Sequence, residues 1–552
     1  KEFINFGGLD LNFGFYLDAI SLVMLSTVGI VASIVHIYSV GYMKDDASFN
    51  RFFSYLGLFV FCMNVLVSSD NFIGLFIGWE GVGLCSWLLI GFWYKKPSAN
   101  VAANEAFIMN RVADLAMLVG IFYIFYSFGS LKFSEVFNAR SDFSGLNLGI
   151  IATLLFIGAM GKSAQFPFHT WLANAMEGPT PVSALIHAAT MVTAGVYLVI
   201  RANFIFANVP EVSHFIACLG AFVAIFAASI ALVHNDLKKI VAYSTLSQLG
   251  YMFVAAGLGA YKIALFHLVT HAFFKSLLFL CAGNVMHAMN DELNIKKMGG
   301  LYKFMKPTAL LSIIASCALA GFYPFAGFFS KDKILEVAFS ENQILWALLL
   351  FGAVLTAFYS FRLVMLVFFA RPKSEKHAHE AKNYMLAGMG VLGILSVISG
   401  FFWSNFSEFL EKSLKDYGIG QEISKVKDWY DGYRLGDSEV YNPWSIINFL
   451  RFKELRAYWV DTSGNDLIND VLKKITKDTI RALERLFDGE GLRQNISGTS
   501  DLSKLLNENE LWELLLFSGY LTIEEKIDQK NYILRLPNKE VKELFKDSFL
   551  EK

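Results

Sequence analysis

The stretch GIIATLLFIGAMGKSAQFPFHTWLANAM (149–176) decides how this chain folds. It opens as an apolar helix, and at this length it exceeds the about 20 residues that span a hydrocarbon core of about 30 Å. Lys162 interrupts it. Pro167 then breaks it, because proline donates no hydrogen bond and clashes with the preceding turn. Unwound backbone at membrane depth survives only where protein or a water cavity surrounds it. TALLSIIASCALAGFYPFAGFFSKDKILEVAF (308–339) repeats the plan, with Pro324 at the break and Lys331 beside it. Paired broken helices in two halves of a chain point to a transporter-like site.

Working outward, spanning segments fall near 16–38, 52–68, 71–93, 105–127, 149–177, 181–202, 213–234, 240–259, 262–288, 307–338, 343–370 and 384–405. The predicted fold is an all-α polytopic membrane protein of about twelve helices, followed by a small soluble α+β region. Composition agrees: 55% of the 552 residues are hydrophobic and mean hydropathy is +0.46, above the 45–50% apolar content usual for soluble domains. Charge is uneven. Residues 1–417 carry 27 Lys/Arg and 24 Asp/Glu, whereas 418–552 carry 20 and 24 in a third of the length. We therefore divide the chain into a membrane domain (1–405), a junction (406–417) and a soluble tail (418–552). Lys1 stands where a Met would open a gene, so earlier residues are expected.

Loop charges orient the membrane domain. Loops after the odd-numbered segments hold Lys44, Arg51, Lys95, Lys96, Lys238, Lys239, Lys296, Lys297, Lys303, Lys306, Arg371, Lys373, Lys376 and Lys382. The others hold only Lys132, Arg140, Arg201 and Lys262. The positive-inside rule puts the first set in the cytoplasm. Twelve crossings then leave residue 406 outside, an awkward place for a tail of cytoplasmic type.

Four charges at membrane depth cost about 2.5–3.5 kcal/mol each, on the order of 10 kcal/mol together, and such residues usually line ion or proton routes. They are Glu80, Lys162, Lys275 and Lys331. Glu80 in GWEGVGLCS is either a carboxylate that tunes a nearby lysine or a structural ion pair. Lys162 is a desolvated lysine able to load and release a proton, or one that snorkels to the interface. Its Gly-Lys-Ser triplet is no phosphate loop, because that motif needs Gly where Phe156 stands. His267, His271 and Lys275 share one helix face at i, i+4 spacing. They read as a proton relay, since histidine titrates near neutrality, and less readily as a two-histidine metal site. Leu268 occupies the place of the zinc-protease glutamate. His187 fits the relay or a singly hydrogen-bonded core histidine. Lys331 and Asp332 set a base beside an acid, and Arg111 and Asp114, three apart, suggest a structural pair on one helix. Asp236, Lys238 and Lys239 form either a proton mouth or interface anchors.

Cys62, Cys85, Cys218, Cys281 and Cys317 stand singly in apolar runs, without cluster or ribbon spacing. No dinucleotide fingerprint or haem motif appears. No metal or cofactor is expected on the chain itself.

GWEGVGLCSWLLIGFW (78–93), GKSAQFPFHTWLANAMEGPTPVSALIHAATMVTAGVYL (161–198), AYSTLSQLGYM (242–252), HLVTHAFFKSLLFL (267–280) and AGFFSKDKIL (326–335) resemble the subunit L family of respiratory complex I, the NADH–quinone oxidoreductase. That family is similar to Mrp-type sodium/proton antiporters. The resemblance spans about 1–405. It implies two inverted five-helix repeats, each with a broken helix, and one proton channel. Glu80 would modulate Lys162, His187 and the His267/His271 region would relay, Lys275 would be central, and Lys331 with Asp332 would form the exit. It implies a non-redox subunit of the bacterial inner membrane. Partner membrane subunits and the bilayer would surround it, and NADH, FMN, iron–sulfur clusters and quinone would sit in partner subunits. The alternative is a cation/proton antiporter subunit. No nucleic acid is expected for this domain. The family's earlier N-terminal helices, lateral helix and final anchoring helix are not seen in 1–405.

In the tail, WYDGYRLG (429–436), VYNPWS (440–445) and LPNKEV (536–541) resemble the C-terminal part of bacterial AAA-ATPase-like proteins that precede a nuclease-like domain. The tail has no Walker A motif, so no ATPase activity is expected, and its partner is unknown. ELLLFSGYLTIEEKIDQKNYILRLPNKEVKELF (513–545) predicts helix, strand, turn, strand, helix. A fusion or a gene-model join near residue 417 is the expectation.

Overall fold

The computed structural model describes residues 2–415 apart from 7–8, 13, 138–145 and 373–377. Beyond these it describes 429–435, 438–440, 442, 445, 477–487, 490–496, 508–528 and 530–542. The chain divides into two compact units, Lys1–Tyr417 and Gly418–Lys552.

A short antiparallel hairpin, β1 (Glu2–Phe6) and β2 (Leu9–Asn12), precedes the first unit's helices. The helices are α1 (Ala19–Tyr42), α2 (Phe49–Ser68), α3 (Phe72–Ile90), α4 (Pro97–Phe128), the short α5 (Phe133–Phe137), α6 (Leu146–Lys162), α7 (Thr170–Asn174), α8 (Thr180–Ala188), α9 (Ala194–Arg201), the short α10 (Asn203–Ala207), α11 (Pro210–Val233), α12 (Leu237–Gly257), α13 (Tyr261–Ala288), α14 (Lys306–Ala320), α15 (Ala326–Glu341), α16 (Gln343–Val364), α17 (Asn383–Ile398) and α18 (Trp403–Lys415). All twelve expected segments are helical. Among the described residues nine helical stretches are long and apolar enough to cross a membrane, and α6, α12 and α14 complete the twelve. α6 and α14 fall short because each is half of a broken helix. α12 falls short because Lys238, Lys239, Ser244 and Gln248 dilute it.

Local chemistry sets the ends. Asp18, Asn71 and Asp236 accept from Ser21, Gly74 and Lys239 N–H groups at the starts of α1, α3 and α12, which satisfies donors that a helix start leaves orphaned. Gly321 closes α14 at φ +83°, a backbone region that glycine enters without steric cost. Gly220 and Gly250 let α11 and α12 approach until a Cβ on Gly220 would stand 2.7 Å from the Gly250 carbonyl oxygen. Membrane helices pack through such small residues.

Burial is radial. Val101, Ile108, Leu115, Phe351, Phe358 and Ile394 are exposed on outer helices, whereas α13 is enclosed along almost its whole length. The breaks fall at Pro167, between α6 and α7, and at Pro324, between α14 and α15; both X–Pro bonds are cis. A third break was not expected. ATMVT (189–193) interrupts segment 181–202 between α8 and α9. It carries neither proline nor glycine, and its polar groups are satisfied from elsewhere: Ser163 Oγ donates to Val192 O at 2.7 Å, and Thr190 Oγ1 to Leu185 O at 2.6 Å.

The second unit holds a hairpin, β3 (Tyr433–Leu435) and β4 (Ser438–Val440). It also holds α19 (Lys477–Phe487), β5 (Leu492–Asn495), α20 (Glu508–Phe517), β6 (Thr522–Lys526) and β7 (Asn531–Arg535). The sheet is antiparallel in the order β5-β7-β6, and Leu483, Trp512, Leu515 and Leu534 form its core. Of the predicted helix–strand–turn–strand–helix, α20, β6 and β7 are present and 539–542 is helical; 543–545 lie outside the described residues. Three motifs distant in sequence converge. Asn538 Nδ2 donates to Asp431 O at 3.0 Å, Asn442 N–H to Tyr430 O at 2.9 Å, and Ser445 Oγ to the Glu540 carboxylate at 2.9 Å. AYWVDTSGNDLINDVL (457–472) lies outside the described residues.

Candidate functional site

α6 delivers Lys162 to the core at its C-terminal end, where the partial negative charge of the helix terminus favours an ammonium. The lysine is 1% exposed and donates to Asp114 Oδ2 at 3.1 Å; Asp114, on α4, is 2% exposed. Trp79 Nε1 holds the other carboxylate oxygen at 2.6 Å, and the Lys162 amine lies 5.8 Å from the Trp79 ring centre. The backbone after Lys162 turns through Ala164, a non-glycine residue at φ +50°. Trp171 Nε1 donates to the carbonyl of Gly161 there, at 3.2 Å.

The expected partners are exchanged. Arg111 does not pair with Asp114 on its own helix; it pairs with Glu80 on α3 at 2.7 Å. The reason is radial position. Asp114 faces the core, where a buried lysine needs a counter-ion, while Arg111 is 48% exposed and reaches the 19% exposed Glu80 near the outer surface. Glu80 therefore touches the lysine's environment through α3 and α4 and not by direct contact.

α13 places His267, His271 and Lys275 in one buried row, as the spacing predicted. Their partners come from three other elements. His267 Nδ1 shares a hydrogen bond with Ser330 Oγ of α15 at 2.9 Å, and its Nε2 faces Gln248 Oε1 of α12 at 3.2 Å. Ser330 also meets Thr270 Oγ1 at 2.9 Å. His271 Nδ1 donates to Ala188 O at 3.3 Å, a carbonyl freed by the unexpected break after α8. Lys275 donates to Ser244 Oγ at 2.6 Å. The row is not a continuous wire: neighbouring members lie one helical turn apart, about 6 Å, beyond direct hydrogen-bond reach.

His187 is fully buried against the Phe279 ring, centres 5.3 Å apart, and neither ring nitrogen meets a partner. The singly bonded core histidine is thus not what the structure contains. Lys331 is buried and donates to Leu319 O at 2.9 Å, beside the second break, with the Tyr251 ring 5.0 Å away. Asp332 is exposed and faces away from it, because adjacent helical residues diverge by 100°. The expected acid–base pair is therefore absent. Asp236 serves as a cap, and Lys238, 3% exposed, donates to Met176 O at 2.6 Å and Gly178 O at 2.8 Å. Lys238 is a buried anchor, not a loop charge. Among the described residues no group of three or more His, Cys, Asp and Glu side chains is placed to hold a metal ion.

Sequence reasoning missed Ser244, Gln248 and Ser330, which look like ordinary small polar residues in AYSTLSQLGYM and GFFSKD. It also missed a buried clamp at the other end of the helices. Arg201, counted among the loop charges, is fully buried and donates to both Asp18 oxygens at 2.6 and 2.8 Å and to Ser21 Oγ at 2.7 Å.

Helices broken at Pro167 and Pro324, a buried ammonium–carboxylate pair and a histidine–lysine row on an enclosed helix define an antiporter-like membrane fold. The chain belongs to the NADH:quinone oxidoreductase/Mrp antiporter transmembrane family, whose model matches residues 69–356. A second match, to the N-terminus of complex I chain 5, covers residues 3–53. NADH-quinone oxidoreductase subunit L of Campylobacter jejuni is 68% identical over 405 residues, covering 73% of this chain and 68% of the relative. The Rickettsia felis subunit L is 50% identical over 430 residues, covering 76% and 66%. Chain 5 of the Cryptococcus neoformans NADH-ubiquinone oxidoreductase is 48% identical over 399 residues, covering 71% and 60%. The chain thus spans about two thirds of the length of the curated relatives it matches. The structure of an Mrp complex from Dietzia sp. shares the fold, with TM-score 0.66 at 24% identity, over 92% of this chain and 55% of that one. Neither family match reaches 418–552, whose expected AAA-ATPase-like resemblance gains no support from them.

Proposed function

We propose that the chain is a proton-translocating membrane subunit of an NADH:quinone oxidoreductase in the bacterial inner membrane. The observation that carries this reading is the Lys162–Asp114 pair, buried to 1–2% exposure on one side of the bundle, with the His267–His271–Lys275 row and Lys331 beyond it. A buried ammonium held by one carboxylate is a two-state element: paired it keeps its proton, and unpaired it loses its reason to.

Glu80 works the switch. While it holds Arg111, Asp114 is left to Lys162. When the Glu80–Arg111 pair opens, Arg111, one turn from Asp114, competes for that carboxylate and Lys162 passes its proton inward. The histidines, Lys275 and Lys331 carry the charge toward the second break, through hydroxyls and bridging water. Asp332 lies at the exposed exit, and Asp236 and Lys238 keep the cytoplasmic mouth in shape. Energy arrives from partner subunits that hold the NADH, FMN, iron–sulfur and quinone sites. A half-exposed ion pair such as Glu80–Arg111 at membrane depth is costly toward lipid, which favours a neighbouring membrane subunit against α3 and α4.

In a reconstituted complex, Lys162→Ala or Glu80→Ala is expected to abolish proton movement coupled to quinone reduction. Wild-type pumping in either variant refutes the reading. The second reading, an Mrp-type cation/proton antiporter subunit, is favoured by the shared fold of the Mrp complex. Sodium-dependent proton exchange in vesicles free of the oxidoreductase would select it. ATP hydrolysis is not expected of the tail.

A further inference from the structure

We propose that a cavity between α2, α3 and α4 binds the phosphate of an anionic phospholipid headgroup. The cavity, about 430 Å³, is lined by Arg51, Tyr55, Trp87, Phe92, Tyr94 and Asn104 among others. That volume lies within the range of small-molecule sites, about 300–1,000 Å³. It lies where α2 begins, α3 ends and α4 begins, the end of these helices whose loops carry Lys44, Lys95 and Lys96. The loop charges place that end at the cytoplasmic surface of the bilayer.

Arg51 is the anchor. Its guanidinium carbon lies over the Phe92 and Tyr94 rings, 4.8 and 5.0 Å from their centres, and one arm donates to Phe92 O at 3.1 Å. The rings and that carbonyl fix the plane of the fork. Its Nε, buried, meets no acceptor, and among the described residues no carboxylate lies within ion-pair distance of it. The helix does not explain the charge. A cation in the first turn is disfavoured by the helix dipole, so Arg51 and the start of α2 together call for an anion. A guanidinium fork suits the planar pair of oxygens that a phosphate offers.

The surroundings favour a lipid over free phosphate. Trp87 and Tyr94 stay 37% and 56% exposed at the rim, as interfacial aromatics do. One turn deeper, Leu84 follows Leu88 on α3 and Ile108 follows Asn104 on α4, and both are exposed. They form a short apolar track below the cavity, suited to the upper part of an acyl chain held beside the neighbouring subunit that covers Glu80 and Arg111. Basic pockets between membrane helices on this side recognise anionic headgroups.

The test uses the full chain within its complex, in nanodiscs of phosphatidylcholine with a minor share of phosphatidylglycerol. Lipid retained after purification is quantified by mass spectrometry. The intact protein is expected to retain phosphatidylglycerol selectively, and Arg51→Ala to lower that retention about fivefold or more. Arg51→Lys keeps the charge but loses the fork and is expected to fall between. Tyr94→Ala removes one ring without touching the charge and serves if Arg51→Ala does not accumulate; it is expected to lower retention severalfold. Equal retention of the two lipids, or wild-type retention in Arg51→Ala, overturns the proposal. Displacement of phosphatidylglycerol by millimolar inorganic phosphate also overturns it, in favour of a free-phosphate site.

Discussion

Asp114 is the residue on which the first half of the site turns, and spacing alone pointed elsewhere. Three positions separate it from Arg111, so a helical surface rule pairs the two. The rule speaks for solvated faces, where neighbours on one helix meet at little cost. Inside a bundle the desolvation of Lys162 outweighs that local preference, and the carboxylate goes to the charge that most needs it. Asp114→Asn leaves that ammonium buried without its counter-ion, a change that costs about 3–5 kcal/mol in comparable buried pairs. The expected outcome is loss of pumping together with lower thermal stability of the assembled complex, measured by proton uptake and by a melting curve. An Asn variant that pumps normally would remove Asp114 from the switch. Gly83 offers a milder probe, since a Cβ there would stand 2.7 Å from the Lys162 amine. Gly83→Ala is expected to push the amine off Asp114 and slow pumping severalfold while the complex still assembles.

At the scale of elements, the two proline breaks were legible because proline's chemistry is local. The break at 189–193 was not, because AATMVT reads as unbroken apolar helix and its cause is tertiary: hydroxyls of Ser163 and Thr190 satisfy its carbonyls, and His271 takes Ala188 O. The His267–His271–Lys275 face was legible from a spacing of four. The partners on α8, α12 and α15 that give those side chains their directions were not. Ser330 is the joint among them, since its hydroxyl meets both His267 and Thr270. Ser330→Ala strands His267 Nδ1 at about 1–3 kcal/mol when no water replaces the hydroxyl, while Thr270 Oγ1 keeps its bond to His267 O. It is expected to slow proton uptake at unchanged assembly. Uptake at the wild-type rate would show that water carries the link without the hydroxyl.

At the scale of the whole molecule, the distribution of charge is the most informative pattern, and burial sharpens it. Arg201 leaves the sparse set of outer-loop cations because it is locked to Asp18 in the interior. Lys238 leaves the rich set because its amine is committed to Met176 and Gly178 carbonyls. The remaining asymmetry still places the start of α14 inside and the start of α13 outside. It also makes the crossing count testable, because every break adds chain without adding a crossing. Three broken segments were each counted as one crossing, and a half-helix that turned back would flip everything after it. In a background lacking the exposed Cys218, Lys303→Cys is expected to react with a membrane-impermeant thiol reagent only from the cytoplasmic side. Lys262→Cys is expected to react only from the opposite side. Ser407→Cys, after the twelfth crossing, is expected to behave like Lys262→Cys. If Lys303 and Lys262 label as expected but Ser407 labels from the cytoplasm, the error lies between α14 and α18, where the second proline break stands, and the tail joins the cytoplasmic side. If Lys303 and Lys262 label from the same side, α13 does not cross, and the central lysine row could not run through the bilayer.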